Sequence, residues 1–179
     1  MINSERLIRM DNIVLIGMPG SGKSTVGVVL AKSLGYRFLD SDLVIQEREG
    51  KKLHEIISAK GLAGFKQVEE EANASIVAEH TVIATGGSVV YGQKAMEHLK
   101  NIGKVVYLKL PYEEIEHRLG DLNERGVAVE KEQTLRDLYE ERIPLYEKYA
   151  DITISCFHKE IRQIIAEISE RVKETKELW

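Results

Sequence analysis

NIVLIGMPGSGKSTVGVVLAKSLG, Asn12 to Gly35, changes backbone habit twice within one short span. Asn12 to Gly17 is a continuous apolar run rich in β-branched residues, the pattern of a strand covered on both faces. From Thr25 onward, TVGVVLAKSLG returns its apolar residues at helical spacing and stops at a glycine. The joining segment GMPGSGKST, Gly17 to Thr25, satisfies G-x-x-x-x-G-K-[ST] in the strand-then-helix context that gives this pattern meaning. Its glycines let backbone N–H groups converge on an anion, and the following helix N-terminus adds partial positive charge. The flanking strand and helix favour a phosphate loop over a plain connecting turn.

Working outward, apolar β-rich runs recur at Tyr36–Asp40, Thr81–Thr85, Lys104–Leu110 and Asp151–Ser155, with helix-period segments between them. This alternation predicts a doubly wound α/β sandwich around a parallel sheet. Two helical stripes stand out, Leu62, Phe65, Val68, Ala72 and Ile76 in the middle, and Ile161, Ile164, Ile165, Ile168 and Val172 near the end. The 179 residues suit one domain, 1–179, and 43% hydrophobic with 30% charged residues is the balance of a globular chain. A net charge of -4 argues against a broad nucleic-acid-binding face. No apolar run reaches membrane-spanning length, and the single Cys156 has no disulfide partner. The expected protein is cytoplasmic, with neither nucleic acid nor membrane as partner. The glycine-containing polar stretch 120–133, GDLNERGVAVEKEQ, separates two good helices and reads as a lid.

Within the phosphate loop, Gly20, Ser21, Gly22, Lys23, Ser24 and Thr25 are the expected nucleotide-binding residues. Lys23 is suited to reach the β- and γ-phosphates and Ser24 to ligate Mg²⁺. The chain has no Asn-Lys-x-Asp-type element for reading guanine, so ATP is expected. Asp40 and Asp42, in FLDSDLVIQE, fall at the C-terminal end of a strand, the edge where open α/β sheets bind ligands. Asp40 could support Mg²⁺ while Asp42 reaches a substrate hydroxyl. Alternatively, Asp40 caps the next helix and Asp42 complements its dipole. Gly86 and Gly87, in TGGS, could expose backbone N–H groups to a ligand or simply form a turn.

In the order of its motifs the chain resembles the shikimate kinase family. The phosphate loop and D-[ST]-D element are followed by GFKQVEEE, IATGGSVV, HRLGDLNERG and EERIPLYEKYAD, and the resemblance covers nearly the whole length. It implies a five-stranded sheet of order 2-3-1-4-5, a lid, a substrate-binding insertion at about 42–80, and transfer of the γ-phosphate of ATP to the 3-hydroxyl of shikimate. A monomer is expected. By resemblance, Asp42 holds and deprotonates the hydroxyl, Arg142 binds the substrate carboxylate, Arg125 contacts phosphate from the lid, and Arg118 stacks on adenine. Taken singly, each of these arginines also reads as a solvated charge.

Three positions depart from the family pattern. Lys66 stands where an arginine usually grips the carboxylate, with Glu69 a turn later to orient it; lysine keeps the charge and loses the two-pronged fork. Ser88 replaces the third glycine of a Gly-Gly-Gly run, at a cost on the order of 1 kcal/mol if that position needs positive φ. Gly126 replaces a proline after the lid arginine, which leaves the lid less preorganised. These departures leave open a kinase of the same architecture acting on another small hydroxylated acid or polyol. A non-catalytic nucleotide-binding module is a further alternative.

Overall fold

The computed structural model describes residues 11–120 and 132–177. Its strands are β1 (Asn12–Ile16), β2 (Arg37–Asp40), β3 (Thr81–Ala84), β4 (Gly103–Lys109) and β5 (Ile152–Ser155), one from each predicted run. They form a single sheet of order β2-β3-β1-β4-β5 in which every pairing is parallel, as the resemblance implies. β1 and β3 are buried at every position, since a continuous apolar run has no polar face to turn toward water.

Chain direction fixes the layers. Helix α1 (Lys23–Leu34) follows β1 and leads past β3 to β2, whereas α4 (Gln93–Ile102) leads from β3 past β1 to β4. Parallel crossovers are right-handed, so opposite directions put α1 and α4 on opposite faces. The C-terminal α7 (Ile161–Glu177) packs beside α1, and α3 (Leu53–Ala74) packs against α4. The neighbouring strands β1 and β3 thus send their chains to opposite faces, which opens a crevice beyond their C-terminal ends. The phosphate loop and Thr85–Ser88 both border that crevice.

Between β2 and β3 lie α2 (Ser41–Glu49) and α3, which bury Ile45, Ile56, Phe65, Val68 and Ala72 as a small cluster apart from the main core. Helix α3 is kinked at Gly61, whose φ of 69° and ψ of 179° lie outside the helical region. The middle stripe is split by the helix end at Ala74: Phe65, Val68 and Ala72 serve the small cluster, and Ile76, beyond it, joins the main core. In the C-terminal stripe, Ile164, Ile165, Ile168 and Val172 are buried on α7, but Ile161 at its first turn is exposed. Cys156 is buried in the main core. The remaining helices are α5 (Tyr112–Leu119) and α6 (Leu135–Tyr149). No helix among the described residues is long and apolar enough to cross a membrane.

Candidate active site

The phosphate loop turns through Gly20 and Gly22, whose φ values of 78° and 90° would strain any L side chain. This brings the chain from β1 to the first turn of α1, where Lys23 is buried. Its Nζ donates to the carbonyls of Gly17 and Met18, each at 2.8 Å, and to Ser21 Oγ at 3.4 Å. Burial lowers the Lys23 pKa to about 8, with the negative charge of Asp42 pulling the other way. Ser24 and Thr25 are exposed at the mouth of the loop.

Asp40 takes the capping role that its position suggests. It ends β2 and caps α2 by accepting from the Asp42 N–H on Oδ1 at 3.0 Å, while Oδ2 accepts from Ser24 Oγ at 3.1 Å. Asp42 follows in the first turn of α2 and faces a cavity of about 370 Å³ that it shares with Lys23, Glu69, Thr85, Gly86, Gly87, Ser88 and Arg142. Its pKa is raised, first by burial and then by neighbouring Asp40, with Lys23 opposing.

Crowding explains the glycine pair after β3. A Cβ at Gly86 would sit 2.6 Å from Glu69 Oε1 and 3.1 Å from Asp42 Oδ1. A Cβ at Gly87 would sit 2.7 Å from Pro19 Cδ and 3.0 Å from Arg142 Nη1. Only a bare backbone lets these groups come so close. Tyr146 Oη donates to the Gly87 carbonyl at 2.6 Å and fixes this turn from α6. Arg142, one helical turn earlier on α6, is 2% exposed, so it is not the solvated charge that a lone arginine suggests.

A family model described as shikimate kinase matches residues 19–173. The shikimate kinase of Persephonella marina is 36% identical over 165 residues, covering 92% of this chain and 100% of the relative. The chain belongs to the shikimate kinase family. Among solved structures, the shikimate kinase of Acinetobacter baumannii in complex with shikimate aligns with a TM-score of 0.83 at 34% identity, covering 97% of this chain and 99% of the other. That of Aquifex aeolicus aligns at 0.79 and 33% identity, over 92% and 98%.

Within this shikimate kinase fold, the substitutions singled out in the sequence have definite surroundings. Ser88 has φ −90° and ψ −4°, so the strain foreseen for a left-handed position does not arise. Its hydroxyl donates to Glu69 Oε2 at 2.6 Å. Lys66 lines a smaller adjoining cavity rather than the main one, and its Nζ lies 4.2 Å from the Tyr91 ring centroid. Arg142 borders both cavities. Arg118 Nη1 donates to the Gly20 carbonyl at 3.3 Å, and its Nε is paired with Glu114 at 2.7 Å, which lays it against the phosphate loop. Arg125, Gly126 and most of the lid stretch fall outside the described residues.

Tyr91 lies just past the IATGGSVV motif and Tyr146 lies within EERIPLYEKYAD, but neither was legible as a site residue because each reaches the site only when its element packs there. Glu69 was legible only as a partner for residue 66. Glu69 Oε1 is buried without a hydrogen-bond partner among the described residues, and burial raises the side-chain pKa to about 7, partly offset by the Ser88 bond. The folded chain therefore holds this proton between about pH 4.5 and 7, where the unfolded chain has released it, and stability must fall as pH rises through that window. Compared with Glu69→Gln, the wild type is expected to lose on the order of 2–3 kcal/mol between pH 5 and 8, read from urea unfolding of both proteins. Parallel pH dependences would refute this origin.

Proposed function

We infer that the protein is an ATP-dependent shikimate kinase that transfers the γ-phosphoryl group to the 3-hydroxyl of shikimate. The observation that carries the reading is the convergence of Asp42, Lys23 and Arg142 on one cavity at the mouth of the phosphate loop. Family membership supports it. The loop N–H groups of Gly20–Thr25 and the start of α1 bind the phosphates, and Lys23 moves from loop carbonyls to phosphate oxygen. Asp42 accepts the hydroxyl proton on a carboxylate oxygen as the acceptor oxygen bonds to the γ-phosphorus. The bond to the β–γ bridging oxygen breaks, and ADP leaves with its electron pair. A base with an elevated pKa is suited to hold that proton through the transfer.

Arg142 and Lys66 neutralise the acceptor carboxylate, and Gly86, Gly87 and Ser88 line its ring. Arg118 lies along adenine, and Arg125 comes from the lid at 120–133 to meet the transferring phosphoryl group. The insertion at about 42–80 shapes the acceptor side. Ser24 Oγ and Asp40 Oδ2, adjacent at the loop mouth, are hard oxygen donors that suit Mg²⁺ alongside phosphate oxygens. What the ion supplies when bound is neutralisation of phosphate charge. A monomer in the cytoplasm, independent of nucleic acid and membrane, accompanies this reading and is in keeping with the net charge of -4 and the lone cysteine.

The test follows ADP release from MgATP with shikimate and with a panel of small hydroxylated acids and polyols. Shikimate is expected to exceed every other acceptor by orders of magnitude in kcat/KM. No shikimate-dependent turnover would overturn the reading, and a better acceptor in the panel would reassign the substrate.

A further inference from the structure

Lys66 and Arg142 come from different helices, and neither reaches the other's charge directly. What they share is Tyr91, in the 3-10 turn Val89–Tyr91 that follows the glycine pair. The Lys66 Nζ lies 4.2 Å above its ring centroid, the Arg142 Cζ lies 5.3 Å away, and Arg142 Nε donates to Tyr91 Oη at 3.3 Å. The ring itself is fixed, because Oη also donates to Glu141 Oε1, whose other oxygen accepts from Gln133 Nε2 at 3.1 Å.

The group that could have oriented Lys66, Glu69, accepts from Ser88 on Oε2 and makes no ion pair with Lys66. Among the described residues Lys66 makes no ion pair, so the negative face of the tyrosine ring is what restrains its flexible stem. Lys66, Tyr91 and Arg142 line one small cavity of about 90 Å³, and Arg142 continues into the main cavity. A lysine lacks the rigid fork of an arginine and gains anion specificity only when something external fixes its ammonium group.

We propose that Tyr91 is a positioning residue that sets Lys66 and Arg142 as a paired clamp for the acceptor's carboxylate, and thereby governs acceptor specificity. This rests on the reading of the acceptor as shikimate. In this chain the cation at position 66 is oriented by a ring, while Ser88 takes one oxygen of Glu69.

Steady-state kinetics with shikimate and with its carboxamide analogue test the proposal in Tyr91→Phe, Tyr91→Leu, Lys66→Met and the Leu/Met double variant. Tyr91→Leu is expected to raise the shikimate KM about tenfold while kcat and the ATP KM hold. Tyr91→Phe keeps the ring and recovers most of that loss. In the double variant the KM effects combine to less than their product, and the carboxamide KM does not respond to Tyr91→Leu. Fully multiplicative effects, an equal KM rise for the carboxamide, or a fall in kcat and melting temperature with unchanged shikimate KM would each overturn the proposal. If Lys66→Met leaves the shikimate KM unchanged in an otherwise active enzyme, the clamp fails while the kinase reading stands. A wild type inactive on shikimate would sink the kinase reading itself.

Discussion

Asp42→Asn lowers turnover with shikimate by about 10³-fold, within the range that loss of a positioned general base produces, and leaves MgATP affinity nearly unchanged. The affinity is spared because the phosphates are bound by loop N–H groups and Lys23, none of which depends on the Asp42 charge for its place: Lys23 is tethered to Gly17 and Met18. Stability does not suffer either. The Asp42 carboxylate is disfavoured by burial and by Asp40, so an amide of the same shape removes repulsion. Its pH profile is equally diagnostic. Because the Asp42 pKa is raised, the acidic limb of wild-type kcat/KM lies above the usual carboxylate range, and the residual activity of the variant lacks that limb. ADP-release kinetics, nucleotide titration and thermal melts measure the three effects. A variant that keeps most of its turnover would assign the proton to another group.

Legibility in the sequence followed the range of the interactions concerned. The strands could be read because burial on both faces leaves a contiguous apolar run such as Asn12–Ile16, and the phosphate loop because its ligands are consecutive in the chain. The sheet order was not written in composition or periodicity; it came with the resemblance. Ser88 shows the limit of reasoning one residue at a time. Its backbone is ordinary, and its importance lies in a bond to Glu69 on another helix. Lys66 is similar: its charge was evident, but its seat on Tyr91 arises only once α3 meets the turn after β3. Asp40 could be read as a helix cap from its place before α2, whereas its contact with Ser24 on α1 arises only in the fold.

Lys23→Met is expected to lower turnover by about 10²–10³-fold, the loss typical of removing one preorganised group from developing charge, and to raise the stability of the unliganded protein. These opposite signs share one cause. Lys23 is buried at a pKa of about 8 instead of 10.5, so in the unliganded fold its charge is tolerated at a cost. Between pH 8 and 10.5 the unfolded chain retains the proton that the folded chain has released, and unfolding free energy must rise with pH across that window. At pH 7 the full penalty is present, and methionine, similar in reach and uncharged, removes it. The gain is smaller than the pKa shift alone implies, because the Gly17 and Met18 carbonyls lose their 2.8 Å donor. Thermal melts at pH 7 and 10 separate these contributions: the stability advantage of the variant at pH 7 shrinks as the wild type discharges Lys23. ATP reverses the order, since triphosphate adds negative charge beyond that of Asp42 beside the buried ammonium and stabilises the wild type far more than the variant. A variant that is less stable than wild type at pH 7, or that gains as much from ATP, would show that the ammonium is comfortable in the loop and that the phosphates do not need it.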